Sequence, residues 1–355
     1  MFELTSYDKE FYTRIREFLP SRIIDIHTHI WLENLKSPAV SLHAAMASWP
    51  SRVAKENSIE DLLQTYKLLF PDKKVTPLIF SSVEQGDDID MLNNYTAQAA
   101  AQHNCPALIF ASPKWPADEF KQKLQAKGFL GAKVYLSLSP SHILPNEIQI
   151  LDFAPHHQLE VLNSLGAILM LHIPRTGRLK DPINLAQMME IENRYPNIKL
   201  IIAHVGRAYC NEDIGDAFEI LKKSKTMFFD FSANSNQYVF ERLIETVGPK
   251  RILFGSDLPI LRMRARRITE NGIYVNIVPK GLYGDVSGDK NMREVAGTDA
   301  ENITFFLYEE IVAFKRAALA ANLTTADIEN IFHANANGII SSAKASIGNQ
   351  RLYYR

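Results

Sequence analysis

Four short apolar runs in this chain each end on residue types that bind metal ions. The runs are Ile23-Ile24-Asp25-Ile26-His27-Thr28-His29, Ile168-Leu169-Met170-Leu171-His172, Leu200-Ile201-Ile202-Ala203-His204 and Arg251-Ile252-Leu253-Phe254-Gly255-Ser256-Asp257. Continuous apolar runs of this length are typical of parallel strands that are buried on both faces. Because parallel strands end at the same edge of a sheet, we expect the imidazoles and the carboxylate to lie together there. The pattern therefore predicts a metal-dependent enzyme.

Strand and helix patterns alternate along the chain, which places it in the α/β class. We predict eight strands, at 22–26, 74–80, 107–111, 131–136, 167–172, 199–204, 226–231 and 251–255. Amphipathic segments suited to helices lie between them, at 58–69, 90–102, 117–127, 158–164, 185–194 and 213–222. Eight such units in roughly 250 residues are typical of a (β/α)8 TIM barrel. A doubly wound sheet is the alternative, but it usually has a glycine-rich phosphate turn where this chain has His27-Thr28-His29.

The first residues of the chain precede the barrel pattern. Residues 1–21 have Phe11, Ile15 and Phe18 at helical spacing, which predicts a helical extension packed against the barrel. No internal repeat or low-complexity segment interrupts the sequence. We therefore predict a single domain over residues 1–355.

Two long loops follow the first and the last predicted strands. Residues 30–57 follow strand one and include Trp31, His43 and Trp49, and residues 260–300 form an insert after strand eight. Long loops at the C-terminal face of a barrel usually cover its active site. We expect both segments to act as lids or, for the insert, as an interface element.

Composition limits the partners and the compartment of the protein. The chain has 39 Lys and Arg against 40 Asp and Glu, a formal net charge of −1, which provides no general attraction to nucleic acid or to an anionic membrane. Its two cysteines, Cys105 and Cys210, have no metal-finger or disulfide spacing. The N-terminus lacks a signal-peptide pattern, and no run approaches the roughly 18 apolar residues of a membrane span. We expect a cytoplasmic protein with a small-molecule substrate, and a homodimer is plausible.

The residues at the strand ends suit a divalent cation. His27 and His29 are two apart on a strand and so point to the same face, and Asp25 has the same parity. His172, His204 and Asp257 end later strands. Imidazoles with a carboxylate suit Zn²⁺ with an open position for water, although a similar set also accepts Mn²⁺, Fe²⁺ or Co²⁺.

At these residues the sequence resembles the amidohydrolase superfamily, and more closely its amidohydrolase-related branch, amidohydrolase 2. The matching elements are Asp25-Ile26-His27-Thr28-His29, Leu171-His172, Ala203-His204-Val205-Gly206, Phe254-Gly255-Ser256-Asp257-Leu258-Pro259 and the tail Ile331-Phe332-His333-Ala334-Asn335-Ala336. The resemblance covers the chain from Ile23 onward. Together these motifs are specific to the family, whereas a single His-x-His is not.

The resemblance implies a site with one divalent metal, held by His27, His29, His172 and Asp257, with His204 beside the bound water or the substrate. In such a site the cation lowers the pKa of water toward about 7 and polarises a carbonyl group. Asp257 or His204 then accepts and relays the proton. We therefore expect a metal-dependent hydrolase that acts on a small anionic lactone, amide or ester, with Zn²⁺ as the expected metal.

Three other functions remain open. The same ligands would serve a non-oxidative decarboxylase, or another carbon–carbon lyase or hydratase. A metal-free hydrolase would use the histidines and Asp257 directly as acid and base. The sequence argues against a non-catalytic metal-binding protein, because His204 and Asp257 exceed what is needed only to hold a cation.

Three basic residues near the strand ends are predicted to bind the substrate. Lys133, on strand four, lies where the superfamily's binuclear members carry a carboxylated lysine that bridges two metals. With the single metal expected here, an unmodified Lys133 would bind a substrate carboxylate or form a structural ion pair. Arg175 and Arg207 each follow a site histidine by three residues, and a guanidinium group binds carboxylates bidentately. Pairing with loop aspartates is the alternative for both arginines.

The positions of a basic run and of one aspartate predict their roles. Arg262, Arg264, Arg266 and Arg267 form a basic run after strand eight, which predicts a solvated face or an interface. Asp230 ends strand seven, where it either supports the metal ligands from behind or caps the following turn.

Overall fold

Eight parallel strands form the centre of the protein. A computed structural model describes residues 3–37 and 52–352, with side chains up to residue 348, so His43 and Trp49 lie outside the described residues. The strands are β1 (Arg22–His29), β2 (Lys74–Phe80), β3 (Ile109–Phe110), β4 (Gly131–Val134), β5 (Ile168–Leu171), β6 (Lys199–Ile202), β7 (Phe228–Asp230) and β8 (Ile252–Leu253). Each of them overlaps a strand predicted from the sequence.

Hydrogen bonds close these strands into a barrel. β1 pairs with β2, and β3 to β8 form one six-stranded sheet in chain order. The two sheets join where the Leu108 N–H donates to the Ile79 carbonyl (3.0 Å) and where the Ile26 N–H donates to the Phe254 carbonyl (3.0 Å). An open doubly wound sheet would leave its edge strands unpaired. The prediction of a (β/α)8 TIM barrel is therefore confirmed.

Helices alternate with the strands and cover the outside of the barrel. They are α1 (Ser6–Arg16), α2 (Ile59–Leu69), α3 (Ile89–His103), α4 (Ala117–Ala126), α5 (His156–Leu165), α6 (Pro182–Arg194), the single turn α7 (His204–Arg207), α8 (Ala217–Leu221), α9 (Gln237–Val247), α10 (Thr298–Glu301), α11 (Phe306–Ala320), α12 (Thr325–Glu329) and α13 (Asn335–Leu352). α8 is shorter than the predicted segment 213–222, because Asp213 ends a separate 3-10 turn and accepts the backbone N–H groups of Tyr209 and Cys210. In the described part of the chain, no helix has the length and apolar character needed to cross a bilayer.

A bulge in β1 changes which face its polar residues occupy. The pairing with β2 slips between Asp25 and Thr28. Asp25 accepts the hydroxyl of Tyr66 (2.8 Å), which belongs to α2 and therefore lies in the layer between strands and helices. The expectation that Asp25 shares a face with His27 and His29 is wrong, because the bulge adds one residue to the alternation.

The N-terminal extension is helical as predicted and packs against the side of the barrel. Phe11 of α1 stacks on Tyr308 of α11 with ring centroids 6.3 Å apart. The buried carboxylate of Asp8 accepts hydrogen bonds from Arg264 and from the Thr304 hydroxyl (2.8 Å). Of the two alternatives predicted for Arg264, the solvated face is excluded and an interface remains, since its guanidinium group ties the extension to the chain that follows β8.

The insert after β8 folds into a small sheet of its own. Its strands are β9 (Arg266–Glu270), β10 (Ile273–Pro279) and β11 (Met292–Val295). The guanidinium group of Arg267 lies over the rings of Tyr209 (5.0 Å) and Tyr274 (4.4 Å), so of the solvated face and the interface predicted for this arginine the solvated face is excluded. Because Tyr209 follows β6, this contact places the insert beside the C-terminal face of the barrel.

Candidate metal centre

Three side chains from different strand ends come together at the C-terminal face. One ligand atom from each of His27, His204 and Asp257 lies within 4.8 Å of the other two. The three residues are only 0%, 5% and 8% exposed. His27 lies near the end of β1, and His204 and Asp257 follow β6 and β8, so the barrel geometry brings together residues as far apart in sequence as His27 and Asp257.

The other two predicted site residues lie at the same place. Nε2 of His29 is 3.3 Å from Oδ1 of Asp257. The ring of His172 is 5.3 Å from the ring of His204, and its buried Nδ1 has no hydrogen-bond partner among the described residues. The site therefore contains all five residues that were predicted as metal ligands or as the acid/base residue. We call them the donor cluster: His27, His29, His172, His204 and Asp257. Their division into four ligands and one acid/base residue stays a prediction, because His204 lies as close to the centre as the others.

Hydrogen bonds behind the cluster orient three of its imidazoles. Nδ1 of His27 is 2.9 Å from the Asp230 carboxylate, and Nδ1 of His29 donates to the Ser81 carbonyl (3.1 Å). Nδ1 of His204 lies 2.8 Å from the Ser232 hydroxyl. A ring that donates from Nδ1 keeps its Nε2 lone pair for a metal, and such outer partners fix the ring orientation.

Asp230 is the residue that connects these outer contacts. Besides His27, its carboxylate accepts the backbone N–H of His204 (3.0 Å) and both the backbone N–H and the hydroxyl of Ser232. Burial raises the pKa of Asp230, but the contacts with His27, His204 and Ser232 together hold it well below its ordinary value. Asp230 therefore supports the site and also caps the turn after β7, which joins the two roles that the sequence left open.

The protonation states of the cluster fit a divalent cation. Burial lowers the pKa of His27 to about 3 and that of His172 well below its ordinary value, and burial also lowers the pKa of His204. Burial raises the pKa of Asp257, but its hydrogen bond with His29 and the neighbouring imidazoles bring the value down to about 2. At neutral pH the imidazoles of His27, His172 and His204 are therefore uncharged and Asp257 is a carboxylate, which are the protonation states that a metal requires. Together with the unpartnered Nδ1 of His172, this set fits the expected metal.

The turn that carries His204 has an unusual backbone. Four consecutive residues, His204, Val205, Gly206 and Arg207, have φ between 49° and 60°, in the left-handed region. Residues other than glycine adopt this conformation only at a cost of roughly 1–2 kcal/mol each. The contacts of His204 with Asp230, and of Arg207 with three carbonyl groups, hold the turn in place. Strain of this kind persists where the surrounding structure supports it and is concentrated at functional sites.

A glycine gives His27 the space it occupies. A Cβ atom at Gly255 would lie 2.9 Å from Cβ of His27 and 3.4 Å from Cβ of Ser232. The first distance is too short for carbon atoms on two structured strands, so any larger residue would displace the imidazole. The sequence showed this glycine only as part of the Phe254-to-Pro259 motif, without its reason.

The three predicted substrate-binding residues lie in different surroundings. Lys133 is buried in the barrel interior with its Nζ 3.5 Å from Nε2 of His27, and it makes no salt bridge to any described residue. Burial lowers the pKa of Lys133 to about 8. Arg175 instead pairs with Asp181 at 3.0 Å, the loop contact that the sequence left as its alternative. Arg207 makes no such pair with any residue that the structure describes, and its role as a substrate ligand stays a prediction, as do those of Lys133 and Arg175.

Two aromatic residues that follow β4 and β6 were missed in the sequence, and one of them contacts the donor cluster. Tyr135 follows β4, and its ring makes an edge contact with His172 at 4.7 Å. Tyr209 follows Arg207 by two residues and contacts Tyr274 of the insert, with ring centroids 5.2 Å apart. Their positions in the sequence could have identified them, because Tyr135 lies two residues after Lys133 and Tyr209 lies two residues after Arg207.

Comparison with known proteins identifies the family. The family model described as amidohydrolase matches residues 24–278. The chain belongs to the amidohydrolase family. Members of this family are enzymes, either hydrolases or decarboxylases, that bind a divalent metal. Comparison with curated proteins returned no match.

Solved structures of the amidohydrolase fold resemble this chain at low sequence identity. One is a probable 2-pyrone-4,6-dicarboxylic acid hydrolase from Acinetobacter baumannii with citric acid bound, at 15% identity and a TM-score of 0.57, covering 90% of this chain and 99% of that one. Another is a 2,6-dihydroxybenzoate decarboxylase in complex with 2,6-dihydroxybenzoate, at 14% identity and a TM-score of 0.52, covering 91% and 99%. A third is a dihydroxybenzoic acid decarboxylase from Polaromonas with bound manganese, at 13% identity and a TM-score of 0.51, covering 91% and 97%. At this identity the similarity supports the shared fold.

Proposed function

We propose that this amidohydrolase hydrolyses a small anionic lactone, amide or ester with the help of one divalent cation, for which zinc is the first candidate. The observation that carries the proposal is the donor cluster, in which four imidazoles and one carboxylate converge in the barrel with a buried, unpartnered nitrogen on His172. His27, His29, His172 and Asp257 are the proposed ligands. When bound, the cation would supply a Lewis acid and lower the pKa of a water molecule.

The chain's own residues would then position the substrate and move the proton. Asp257 carries a negative charge at neutral pH and lies 3.3 Å from Nε2 of His29, so it is placed to accept a proton from the attacking water. His204 is uncharged at neutral pH and lies within 4.8 Å of Asp257, so it is placed to take that proton from Asp257 and to pass it to the leaving group. Lys133 and Arg207 provide positive charge for an anionic substrate.

A second candidate is non-oxidative decarboxylation on the same residues. It is favoured by Lys133, because a buried ammonium group 3.5 Å from His27 would hold a substrate carboxylate directly against the donor cluster. Two of the structures with this fold are decarboxylases of hydroxylated benzoic acids. The donor cluster serves both reactions, so the products must decide between them.

A product screen on metal-loaded protein tests the proposal. The protein, loaded with Zn²⁺ or with Mn²⁺, is incubated with lactones, amides, esters and carboxylated aromatic compounds, and acid release and carbon dioxide release are measured separately. We expect acid release without carbon dioxide, and loss of this activity after chelation. Carbon dioxide as the product would move the protein to the lyases, and full activity after chelation would support a metal-free hydrolase.

A matched pair of variants connects the activity to the site. Asp257→Asn removes the proposed base, whereas Asp118→Asn changes an exposed carboxylate at the start of α4. Only the first variant should lose activity.

A further inference from the structure

We propose that Asp25 is a positioning residue for the metal centre, because its carboxylate fixes the backbone spacing between His27 and Asp257. The hydroxyl of Tyr66 in turn fixes the orientation of Asp25. The inference rests on the proposed function only in taking His27 and Asp257 as ligands of one cation. It concerns the metal and not the bond that is broken, so it holds for either of the two candidate reactions.

The carboxylate of Asp25 connects the two segments of the chain that carry His27 and Asp257. Its Oδ1 accepts the backbone N–H of His27 (3.2 Å) and the backbone N–H of Ser256 (2.8 Å). Ser256 directly precedes Asp257 in the chain. One carboxylate oxygen therefore joins β1 to the segment after β8 at the positions of both ligands.

The backbone at both positions departs from regular strand geometry. The pairing of β1 with β2 slips between Asp25 and Thr28, so His27 lies within the bulge. β8 ends before Asp257, and Asp257 has a φ of 51°, in the left-handed region. Because a buried backbone N–H group needs an acceptor, a side chain has to supply one where the strand pairing is interrupted. The Asp25 carboxylate supplies it for both segments.

This junction sets the distance between two ligand atoms. The backbone N–H of Asp257 donates to the carbonyl group of His27 (2.9 Å). At the other end of the same side chains, Nε2 of His27 lies 3.6 Å from Oδ1 of Asp257. A binding site has to be held within about 0.5 Å of its productive geometry. A shift of Asp25 would move both backbones, so the affinity for a cation should respond to it.

Tyr66 holds Asp25 from the helix layer. Its hydroxyl donates to Oδ2 of Asp25 (2.8 Å), the oxygen opposite the one that accepts the backbone N–H groups. Asp25 and Tyr66 are only 0% and 5% exposed. The C-cap of α2, Phe70, packs against Phe254 with ring centroids 6.4 Å apart, so α2 also contacts the segment after β8. The helix thus keeps the Tyr66 hydroxyl in place behind both ligands.

Zinc affinity, measured by competition with a chelating dye, tests the role of Tyr66. Tyr66→Phe removes the hydroxyl that orients Asp25 and should weaken zinc binding about tenfold, as is typical when an outer partner of a ligand is lost. The visible absorption of the Co²⁺-loaded variant should also change, because it reports the geometry of the ligands. A purely structural role of Tyr66 would leave that spectrum unchanged.

Tyr308→Phe is the matched control, because it removes another buried tyrosine hydroxyl that contacts α2. The Tyr308 hydroxyl donates to the Leu69 carbonyl (2.7 Å), and Tyr308 is 1% exposed. Both variants should lower the urea concentration at which the metal-free protein unfolds, since each loses a buried hydrogen bond. Only Tyr66→Phe should weaken zinc binding.

Asp25→Asn separates position from charge. The oxygen of an asparagine accepts the same backbone N–H groups, and its amide nitrogen donates to the Tyr66 hydroxyl. We expect this variant to bind zinc nearly as tightly as the unaltered protein and to keep its Co²⁺ spectrum.

Three results would overturn the inference. They are an unchanged zinc affinity and Co²⁺ spectrum in Tyr66→Phe, an equal loss of zinc affinity in Tyr66→Phe and Tyr308→Phe, and a loss in Asp25→Asn as large as that in Tyr66→Phe. Each of them would leave the hydrolase proposal intact. Carbon dioxide release in the product screen would instead reject hydrolysis and leave the zinc affinities standing.

Discussion

Two buried polar clusters in this protein differ in how completely their atoms are paired. In the first, which we call the Asp8 cluster, the carboxylate of Asp8 accepts hydrogen bonds at both oxygens from Thr5, Arg264 and Thr304. In the donor cluster, by contrast, Nδ1 of His172 has no partner among the described residues, and the Asp257 carboxylate lies 3.6 Å and 3.3 Å from the Nε2 atoms of His27 and His29, which are themselves potential ligands. A buried cluster whose polar atoms are all hydrogen-bonded within the protein stabilises the fold. A buried cluster with unpaired polar atoms is instead suited to binding a ligand. The following changes separate these two roles.

The largest expected effect is on activity at the donor cluster. Asp257→Asn should reduce kcat/KM by about 10²–10⁴-fold, because it removes a charged group that acts on the reacting water. The free energy of unfolding of the metal-free protein should also fall, since the lowered pKa of Asp257 means that its charged form stabilises the folded state at neutral pH. Steady-state kinetics and urea unfolding measure the two quantities. If Asp257→Asn kept its kcat/KM and only its free energy of unfolding fell, Asp257 would have a purely structural role.

At the Asp8 cluster the expected effect is on stability alone. Asp8→Asn should lower the free energy of unfolding by about 3–5 kcal/mol, the usual effect of removing one partner from a buried ion pair. Activity per folded molecule should remain, because α1 lies on the side of the barrel. Glu17→Gln is the control, since that side chain is 90% exposed and its loss should change stability by less than about 1 kcal/mol. Equal stability of the Asp8 and Glu17 variants would contradict the structural role.

A glycine substitution tests how tightly the donor cluster is packed. Gly255→Ala should weaken metal binding about 10–100-fold, as is typical when the support of a ligand is disturbed, because the new methyl group displaces His27. Gly338→Ala in α13 is the matched control, as its added Cβ meets nothing within 4 Å. Competition for zinc with a chelating dye measures the affinity. If the two variants bind zinc equally, the space beside His27 is not critical.

The smallest effect is a pH dependence that belongs to the Asp8 cluster. Burial raises the pKa of Asp8, but hydrogen bonds from Arg264, Thr5 and Thr304 bring it below its ordinary value. A lowered pKa means that the contribution to stability is complete above the unfolded-state pKa of about 4 and is lost as the pH falls through the folded value. The difference in stability between the unaltered protein and Asp8→Asn should therefore shrink below about pH 4. Urea unfolding at a series of pH values measures it, and a difference that grows toward low pH would contradict the assignment.

The barrel and the members of the donor cluster could be predicted from the sequence because both depend on short local patterns, namely apolar strands and the residues at their ends. Apolar strands ending on His172, His204 and Asp257 converge because parallel strands share one edge, and that rule needs no knowledge of the helices. The sequence could not show the bulge that separates Asp25 from His27, because a bulge depends on pairing with a distant strand. It also missed the burial of Arg264 and Arg267, which depends on partners as distant as Asp8 and Tyr209.

The most direct test of the account is the metal content of the purified protein. Inductively coupled plasma mass spectrometry on zinc-loaded and desalted protein gives the number of ions per chain, and His27→Ala provides the comparison within the donor cluster. We predict one ion per chain in the unaltered protein and far less in the variant. No retained metal in the unaltered protein, two ions per chain, or the same content in His27→Ala would contradict a single cation held at this site.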